Sequence, residues 1–559
     1  MPVLTKLLAG LALALPLALA AAPVERPAQG LIVRMAADAT DADWQRLQRA
    51  AGLEGRAMRE RSARSRVLGA DRVLRGADAR ALAQRLAREP GVAWVEPNTR
   101  ERRLQAVAPN DPDFTAGLQW WLRPPTGSNS NTIEDRLRGV GNFQTGWNAT
   151  TGSAGNVVAV LDTGITEHPQ LAGRVINGHD FVSEVEYAND GNGRDGDASD
   201  PGDWVSSADR TGSPALFGDC EVEDSSWHGT IIAGQLVAAT DDGVRVAAMQ
   251  WAGRVLAVRV AGKCGATVAD IVDGMRWAAG LPVNGVPMNP DPARVVTVSF
   301  GGSAACSPAY QEAIDDLRVA GAVVVAAAGN EHGAVLRPAN CVGAIGVGAV
   351  NRDGFKTTYS SFGTEVALST VGGDPSGDGR WGTLLGDSGL LTLYNDGSEG
   401  PGAATYAYVF GTSFSTPQVA GAASLMLAVR PSLTASQIVD GLRASARPHV
   451  TSPVIEDCSS ANPGRCICTT STCGAGLLDV PEALRYAQDP TGYTAPTPTT
   501  VEIDNAEVRA AAALGADRPA NSGADDDDDG GGVSGGALGW PWLAALALAV
   551  AAVRRARRG

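Results

Sequence analysis

At 559 residues the chain exceeds one average domain, and 44% hydrophobic composition is enough for a sizeable core. The formal charge is −15 and no Lys/Arg-rich block occurs in the central region, which excludes nucleic acid as the expected partner. Sixty-eight glycines predict many tight turns and close backbone approaches.

The first twenty residues, "MPVLTKLLAGLALALPLALA", place Lys6 before a short apolar run broken by Pro16, and small residues from 18 to 22 offer cleavage sites. That is the pattern of a secretory signal over 1–20 rather than of a membrane anchor. Export makes the eight cysteines disulfide candidates. Cys458, Cys466, Cys468 and Cys473 cluster late. With only His449 nearby and an oxidising compartment, the cluster reads as disulfides rather than a zinc site.

Residues 21–105 read as a small α+β unit: a strand at 30–36, a helix from Thr40, a second helix ended by Glu89-Pro90-Gly91, and a strand at 92–96. Arginine-rich "RERSARSR" and "TRERR" suggest a β-α-β unit with a basic, protease-sensitive tail. From 106 to 487, apolar strands at 156–162, 254–260, 294–300 and 322–329 alternate with helical stretches. This predicts an α/β, doubly wound, mainly parallel sheet with helices on both faces. In such sheets chemistry sits beyond the carboxyl ends of the strands, and these strands run into Asp162, Gly301 and Asn330. Residues 488–529 read as a polar linker ending in five aspartates. Residues 530–559 are glycines, a 17-residue apolar stretch at 537–553, then Arg554, Arg555, Arg557 and Arg558. That stretch is at the short end for a transmembrane helix, and the arginines would stay cytoplasmic.

Three stretches carry chemistry. "AVLDTGITEHPQL" puts Asp162 at the end of an apolar strand, where a carboxylate is costly unless hydrogen-bonded or paired. "SSWHGTIIAGQL" puts His228 before glycine at a helix start, and "GTSFSTPQVAGAA" supplies Ser413. Taken singly, Asp162 suits a turn, His228 a structural role and Ser413 a helix N-cap. Together they are the three groups of a nucleophilic hydrolase: a weak hydroxyl nucleophile, an imidazole base and an orienting carboxylate. The Ser413 N–H, near a helix N-terminus, and the Asn330 side chain in "VVAAAGNEHG" would supply oxyanion donors. Separately, Asp190, Asp195, Asp197, Asp200 and Asp203 lie among glycines at 189–204. Clustered hard oxygens on a turning loop suit calcium, and a solvated acidic loop is the alternative.

DTG followed by "HPQL", HGT followed by AG, "AAAGN" and GTSxSxP resemble the signatures of the subtilisin-like serine proteases, the subtilases, in that family's Asp, His, Ser order. The resemblance spans roughly 110–487. It implies a secreted serine endopeptidase working through an acyl-enzyme. In it Asp162 orients, His228 is general base and acid, Ser413 attacks, and Asn330 donates to the oxyanion. Departures are Ile231 for a second histidine in HGTHVAG, and Phe414 and Ser415 in GTSMA. They touch packing near the site and not the proton transfers.

The resemblance also implies substrate contacts. Gly265 and Ala266 fall in the edge segment that pairs with an extended peptide, and Ser299, Gly301 and Gly302 fall in the opposite wall. Glu331 beside Asn330 would favour a basic P1 side chain. Cys220 would pair with Cys264, and Cys306 with Cys341, while the last four cysteines leave three pairings open. Structural calcium is common in the family. Residues 21–105 correspond to the inhibitory propeptide, removed by self-cleavage within 103–110. The tail resembles the Gly-Gly-type sorting signal of Gram-negative bacteria, a transient membrane anchor cut by a rhomboid-like protease. The enzyme is expected to act as a monomer on protein and peptide substrates.

Two rivals are weaker. An α/β-hydrolase esterase predicts GxSxG and the order Ser, Asp, His, neither of which occurs around Ser413. A non-catalytic, surface-anchored binding protein predicts a missing triad member, yet all three are present.

Overall fold

The structure, a computed structural model, describes residues 28–99 and 107–517 apart from 54–57, 63, 75, 128, 131, 133 and 134. The expected signal at 1–20 and the sorting segment at 530–559 lie outside the described residues. Among the described residues, no helix is long and apolar enough to cross a membrane. The chain divides into two compact units, Met1–Gln105 and Ala106–Gly559.

The first unit holds four strands, β1 (Ala28–Met35), β2 (Met58–Ser62), β3 (Ser65–Leu74) and β4 (Val92–Thr99), and the helices Asp41–Ala51 and Gly76–Leu86. They form an antiparallel sheet in the order β2-β3-β1-β4. The fold is therefore β-α-β-β-α-β and not the expected β-α-β. The added pair is the β2–β3 hairpin, whose strands meet within "RERSARSR". It escaped sequence reading because β2 is largely exposed and carries charge in place of alternating apolar residues. A reciprocal Thr40–Asp43 capping box starts the first helix, whose Trp44 and Leu47 pack on Leu31, Val33 and Leu68.

The second unit is built on a seven-stranded sheet: β5 (Val157–Asp162), β6 (Val175–Asp180), β7 (Arg254–Arg259), β8 (Val295–Val298), β9 (Val323–Ala327), β10 (Ile345–Val350) and β11 (Val366–Val371). All neighbours pair parallel, in the order β11-β10-β9-β8-β5-β7-β6. Side chains alternate between two cores. Val158, Val160, Val255 and Val295 face the helices His228–Val237 and Thr412–Val429. Ala159, Leu161, Val258 and Val296 face the helices Val268–Ala278 and Pro308–Val319. Both faces are covered, which is why the strands read as continuous apolar runs and the fold is doubly wound α/β. Strand order reverses at β5: later strands build outward from β8 on one side and β7 and β6 lie on the other. The loops after β5 and β8 therefore diverge and open a crevice at the carboxyl ends.

An antiparallel hairpin, β12 (Leu390–Asn395) and β13 (Ala404–Val409), precedes the helix Thr412–Val429. Part of the expected linker, 501–517, is docked. Ile503, Val508 and Ala511 are buried in a cluster with Trp381, and buried Asp517 meets the Arg465 guanidinium at 3.0 Å. Sparse apolar residues and polar flanks hid this docking. Four disulfides close the unit: Cys220–Cys264, Cys306–Cys341, Cys458–Cys466 and Cys468–Cys473.

Candidate active site

β5 is apolar until its last residue, Asp162, which is 1% exposed. One carboxylate oxygen accepts the Thr163 N–H at 2.9 Å, and the two oxygens lie 2.9 and 3.0 Å from His228 Nδ1. His228 is the first residue of its helix, after Trp227 in the left-handed conformation at φ 53°. The following glycine has a steric reason. A Cβ at Gly229 would lie 2.0 Å from the Gly164 carbonyl oxygen and 3.1 Å from Asp162 Cβ, so only glycine lets the helix start this close to the strand end. The imidazole is packed by Phe300 and Phe414, with ring centroids 5.7 and 5.4 Å away.

A second layer of carboxylates stands behind this pair. Asp203 accepts the Ser226 N–H and Oγ–H at 2.7 Å each, and Ser226 Oγ accepts the His228 N–H at 3.3 Å. Buried Asp200 accepts Thr163 Oγ1–H at 2.6 Å, and that hydroxyl accepts the Gly229 N–H at 3.2 Å. Burial disfavours the His228 cation, yet Asp162, and behind it Asp203 and Asp200, outweigh burial and hold the imidazole above its ordinary 6.5. Burial and the Asp203 charge push Asp200 up to about 7.

Ser413 is the second residue of the helix Thr412–Val429, whose N-cap is Gly411; Ser413 is not itself the cap. Its hydroxyl donates to the Ser299 carbonyl at 3.3 Å, while Ser299 Oγ–H donates to the Ser413 carbonyl at 3.3 Å. Pro417 lies one turn inside the helix and not in the first turn. Having no N–H, it leaves the Ser413 carbonyl without its intrahelical donor, and Ser299 takes that place. Asn330 follows β9. Its side-chain oxygen accepts from the Thr412 N–H at 3.0 Å and from Thr412 Oγ1–H at 2.9 Å. Thr412 thus fixes the carboxamide and leaves its NH₂ as the available donor. Ser299, Gly301, Asn330, Glu331 and Ser413 all line one pocket.

Other expected residues are placed differently. Gly302 lies outside that lining, and its N–H and carbonyl pair with the Arg337 main chain at 3.1 and 3.2 Å. Gly265 and Ala266 line a separate cleft with Val182, Tyr187 and Leu216, and the expected edge segment turns back tightly where Gly262 and Gly265 exchange two 3.0 Å hydrogen bonds. The five aspartates each meet a different partner. Asp190 accepts from Arg259 at 2.9 Å, Asp195 from Asn192 at 2.8 Å, and Asp197 from Ser199 Oγ–H at 2.7 Å, while Asp200 and Asp203 face the site as above. Among the described residues, the one triad of potential ligand atoms within 4.8 Å is Cys458, Cys468 and Cys473, all in disulfides. Calcium enters no step below. Thr163, Ser226 and Thr412 were not singled out from sequence. Each is adjacent to or part of a recognised motif, so proximity to DTG, HGT and GTS was the available signal.

Comparison with known proteins agrees with this arrangement. The family model described as "Subtilase family" matches residues 153–471. An extracellular protease of Xanthomonas campestris pv. campestris is 37% identical over 443 residues, covering 78% of this chain and 67% of that protein. An extracellular basic protease of Dichelobacter nodosus is 36% identical over 361 residues, 64% of this chain and 54% of that protein. A solved structure of a protease from Pseudoalteromonas arctica is 37% identical with a TM-score of 0.57, covering 68% of this chain and all of that one.

Proposed function

The chain belongs to the subtilase family and is a serine endopeptidase, and from that premise we propose that Asp162, His228 and Ser413 are its catalytic triad and Asn330 its side-chain oxyanion donor. The observation that carries the reading is the His228 Nδ1–Asp162 pair at 2.9 Å, set beside a serine at a helix start and a carboxamide locked by Thr412.

With Nδ1–H held by Asp162, His228 Nε2 is the proton acceptor. It takes the Ser413 hydroxyl proton as Oγ attacks the scissile carbonyl. The tetrahedral oxyanion forms against the Ser413 N–H, the positive helix end and the Asn330 NH₂. Collapse expels the amine, which receives the proton from His228, and leaves an acyl-serine. Water, deprotonated by the same imidazole, then releases the acid and restores the hydroxyl. Ser413 Oγ–H donates to the Ser299 carbonyl; the proton transfer would turn it to His228, as catalytic hydrogen bonds often tighten in the complex.

Two finer readings accompany this one. Glu331, exposed on the pocket wall, would select a basic P1 side chain. The unit Met1–Gln105 would be an inhibitory propeptide that the enzyme removes itself, and the tail beyond the described residues a sorting signal. Extracellular action is supported by the printed names of the relatives. Ser413→Ala is the deciding experiment. It is expected to lower kcat on the order of 10⁶-fold, the magnitude such a serine carries in subtilisin, and to leave the precursor uncleaved. Peptide hydrolysis at the wild-type rate would remove Ser413 as nucleophile.

A further inference from the structure

The segment entering the His228 helix is held by an element that lies elsewhere in the chain. Ser225 N–H donates to the Ser398 carbonyl at 2.8 Å, Ser225 Oγ–H donates to the Glu399 carbonyl, and the Trp227 indole N–H donates to the Gly397 carbonyl at 2.7 Å. All three acceptors are main-chain oxygens at the tip of the β12–β13 hairpin. Trp227 is fully buried and sits at φ 53°, a conformation a bulky side chain avoids unless its surroundings impose it. The indole hydrogen bond is one such restraint, on the residue that precedes the base.

The tip is itself braced. Asn395 Oδ1 accepts the N–H groups of Gly397 and Gly402 at 3.0 and 2.7 Å, and Asp396 N–H donates to the Ala403 carbonyl at 3.1 Å. Asp200-Pro-Gly-Asp203 presses on it from the other side. Gly202 has φ 101°, and a Cβ there would lie 2.2 Å from the Glu399 carbonyl oxygen and 2.5 Å from Ser225 Oγ. At its root the hairpin is tied to both helices that carry the reacting side chains. Thr392 Oγ1–H donates to the Ile231 carbonyl in the His228 helix at 3.3 Å, and β13 ends at Val409, shortly before the helix Thr412–Val429 that bears Ser413.

We propose that the β12–β13 hairpin is a positioning strut for the reaction: its tip carbonyls at 397–399 fix the Ser225–Trp227 entry to the base helix, while its root leads into the nucleophile, so one rigid element sets the His228–Ser413 separation. Trp227 and Ser225 are positioning residues, acting through His228. The inference rests on the triad reading, which Ser413→Ala tests separately.

The experiment compares Trp227→Phe and Ser225→Ala with wild type, with kcat and KM measured per active site after burst titration. Misplacing a base by about an ångström costs up to roughly a hundredfold. Trp227→Phe is therefore expected to lower kcat about ten- to a hundredfold with KM changed less than about twofold, and Ser225→Ala to do the same more weakly. Ser225→Ala keeps the test alive if Trp227→Phe does not fold. Unchanged kcat per active site in Ser225→Ala would overturn the proposal, even if less active enzyme were recovered, because that outcome is structural support without positioning. A rise in KM at constant kcat would overturn it too, by making the hairpin part of the substrate wall.

Discussion

The two halves of the site differ in charge. The half that holds the base is acidic: Asp162 at 2.9 Å from His228, with Asp200 and Asp203 behind, reached through Thr163 and Ser226. The half that would hold the oxyanion is made of main-chain N–H groups, a helix start and the Asn330 carboxamide set by Thr412. The division follows the course of the reaction. In the proposed reaction positive charge would develop on the imidazole, where three carboxylates favour it, and negative charge on the substrate oxygen, where fixed neutral dipoles would receive it. Interchanging the two environments would oppose both charges.

Asn330→Ala removes the side-chain donor from the neutral half and is expected to have the largest effect of the three predictions here. It should lower kcat on the order of 10²–10³-fold, about 3–4 kcal/mol of transition-state stabilisation, with KM little changed. Steady-state kinetics on a peptide substrate test it. An equal loss in kcat and in substrate affinity would mean that Asn330 binds the ground state, and the contrast between the halves would fail.

Thr412→Val keeps the volume and removes the hydroxyl that donates to Asn330 at 2.9 Å and accepts the Gly329 N–H at 3.2 Å. The Thr412 N–H still holds the carboxamide at 3.0 Å, so the amide is loosened and not freed. Of the two hydrogen bonds lost, the one to Asn330 bears on the amide; it corresponds to about 1–1.5 kcal/mol, or roughly a tenfold fall in kcat. A fall as large as that of Asn330→Ala would show that the main-chain bond alone cannot orient the amide.

Much of this was legible in the sequence, for identifiable reasons. Buried parallel strands are apolar on both faces, so β5, β7, β8 and β9 stood out within about one residue at their starts and two at their ends. Asp162 was conspicuous as a charge ending such a run, and HGT and GTS carry their steric requirements in their glycines. What stayed hidden depends on partners distant in sequence. The aspartates of 189–204 looked like one metal loop because spacing alone cannot say that Arg259 takes Asp190 while Ser226 takes Asp203. The β2–β3 hairpin lacked an apolar alternation, and the docked segment 501–517 offers few apolar residues to a cluster completed by Trp381. The role of Pro417 required the actual start of the helix, since a shift of a few residues decides whether it removes a hydrogen bond.

Asp203→Asn probes the acidic half and has the smallest expected effect. Asp203 acts on the imidazole by its charge and through Ser226. In the wild type the folded His228 pKa is raised above 6.5, against the opposing effect of burial, so the neutral base is lost as pH falls through a value above that of a free imidazole. The acid limb of kcat/KM is therefore expected above 6.5. Removing one of the carboxylates that favour the cation lowers the His228 pKa, and the limb should move to lower pH. The plateau rate should change little, because an asparagine side-chain oxygen can still accept from Ser226. The pH profile of Asp203→Asn against wild type reads the shift. A limb that stays in place would mean that the Asp203 charge does not set the imidazole, and Asp203 would then be structural. A limb moved to higher pH would reverse the assigned electrostatics, since loss of a nearby negative charge cannot stabilise a cation.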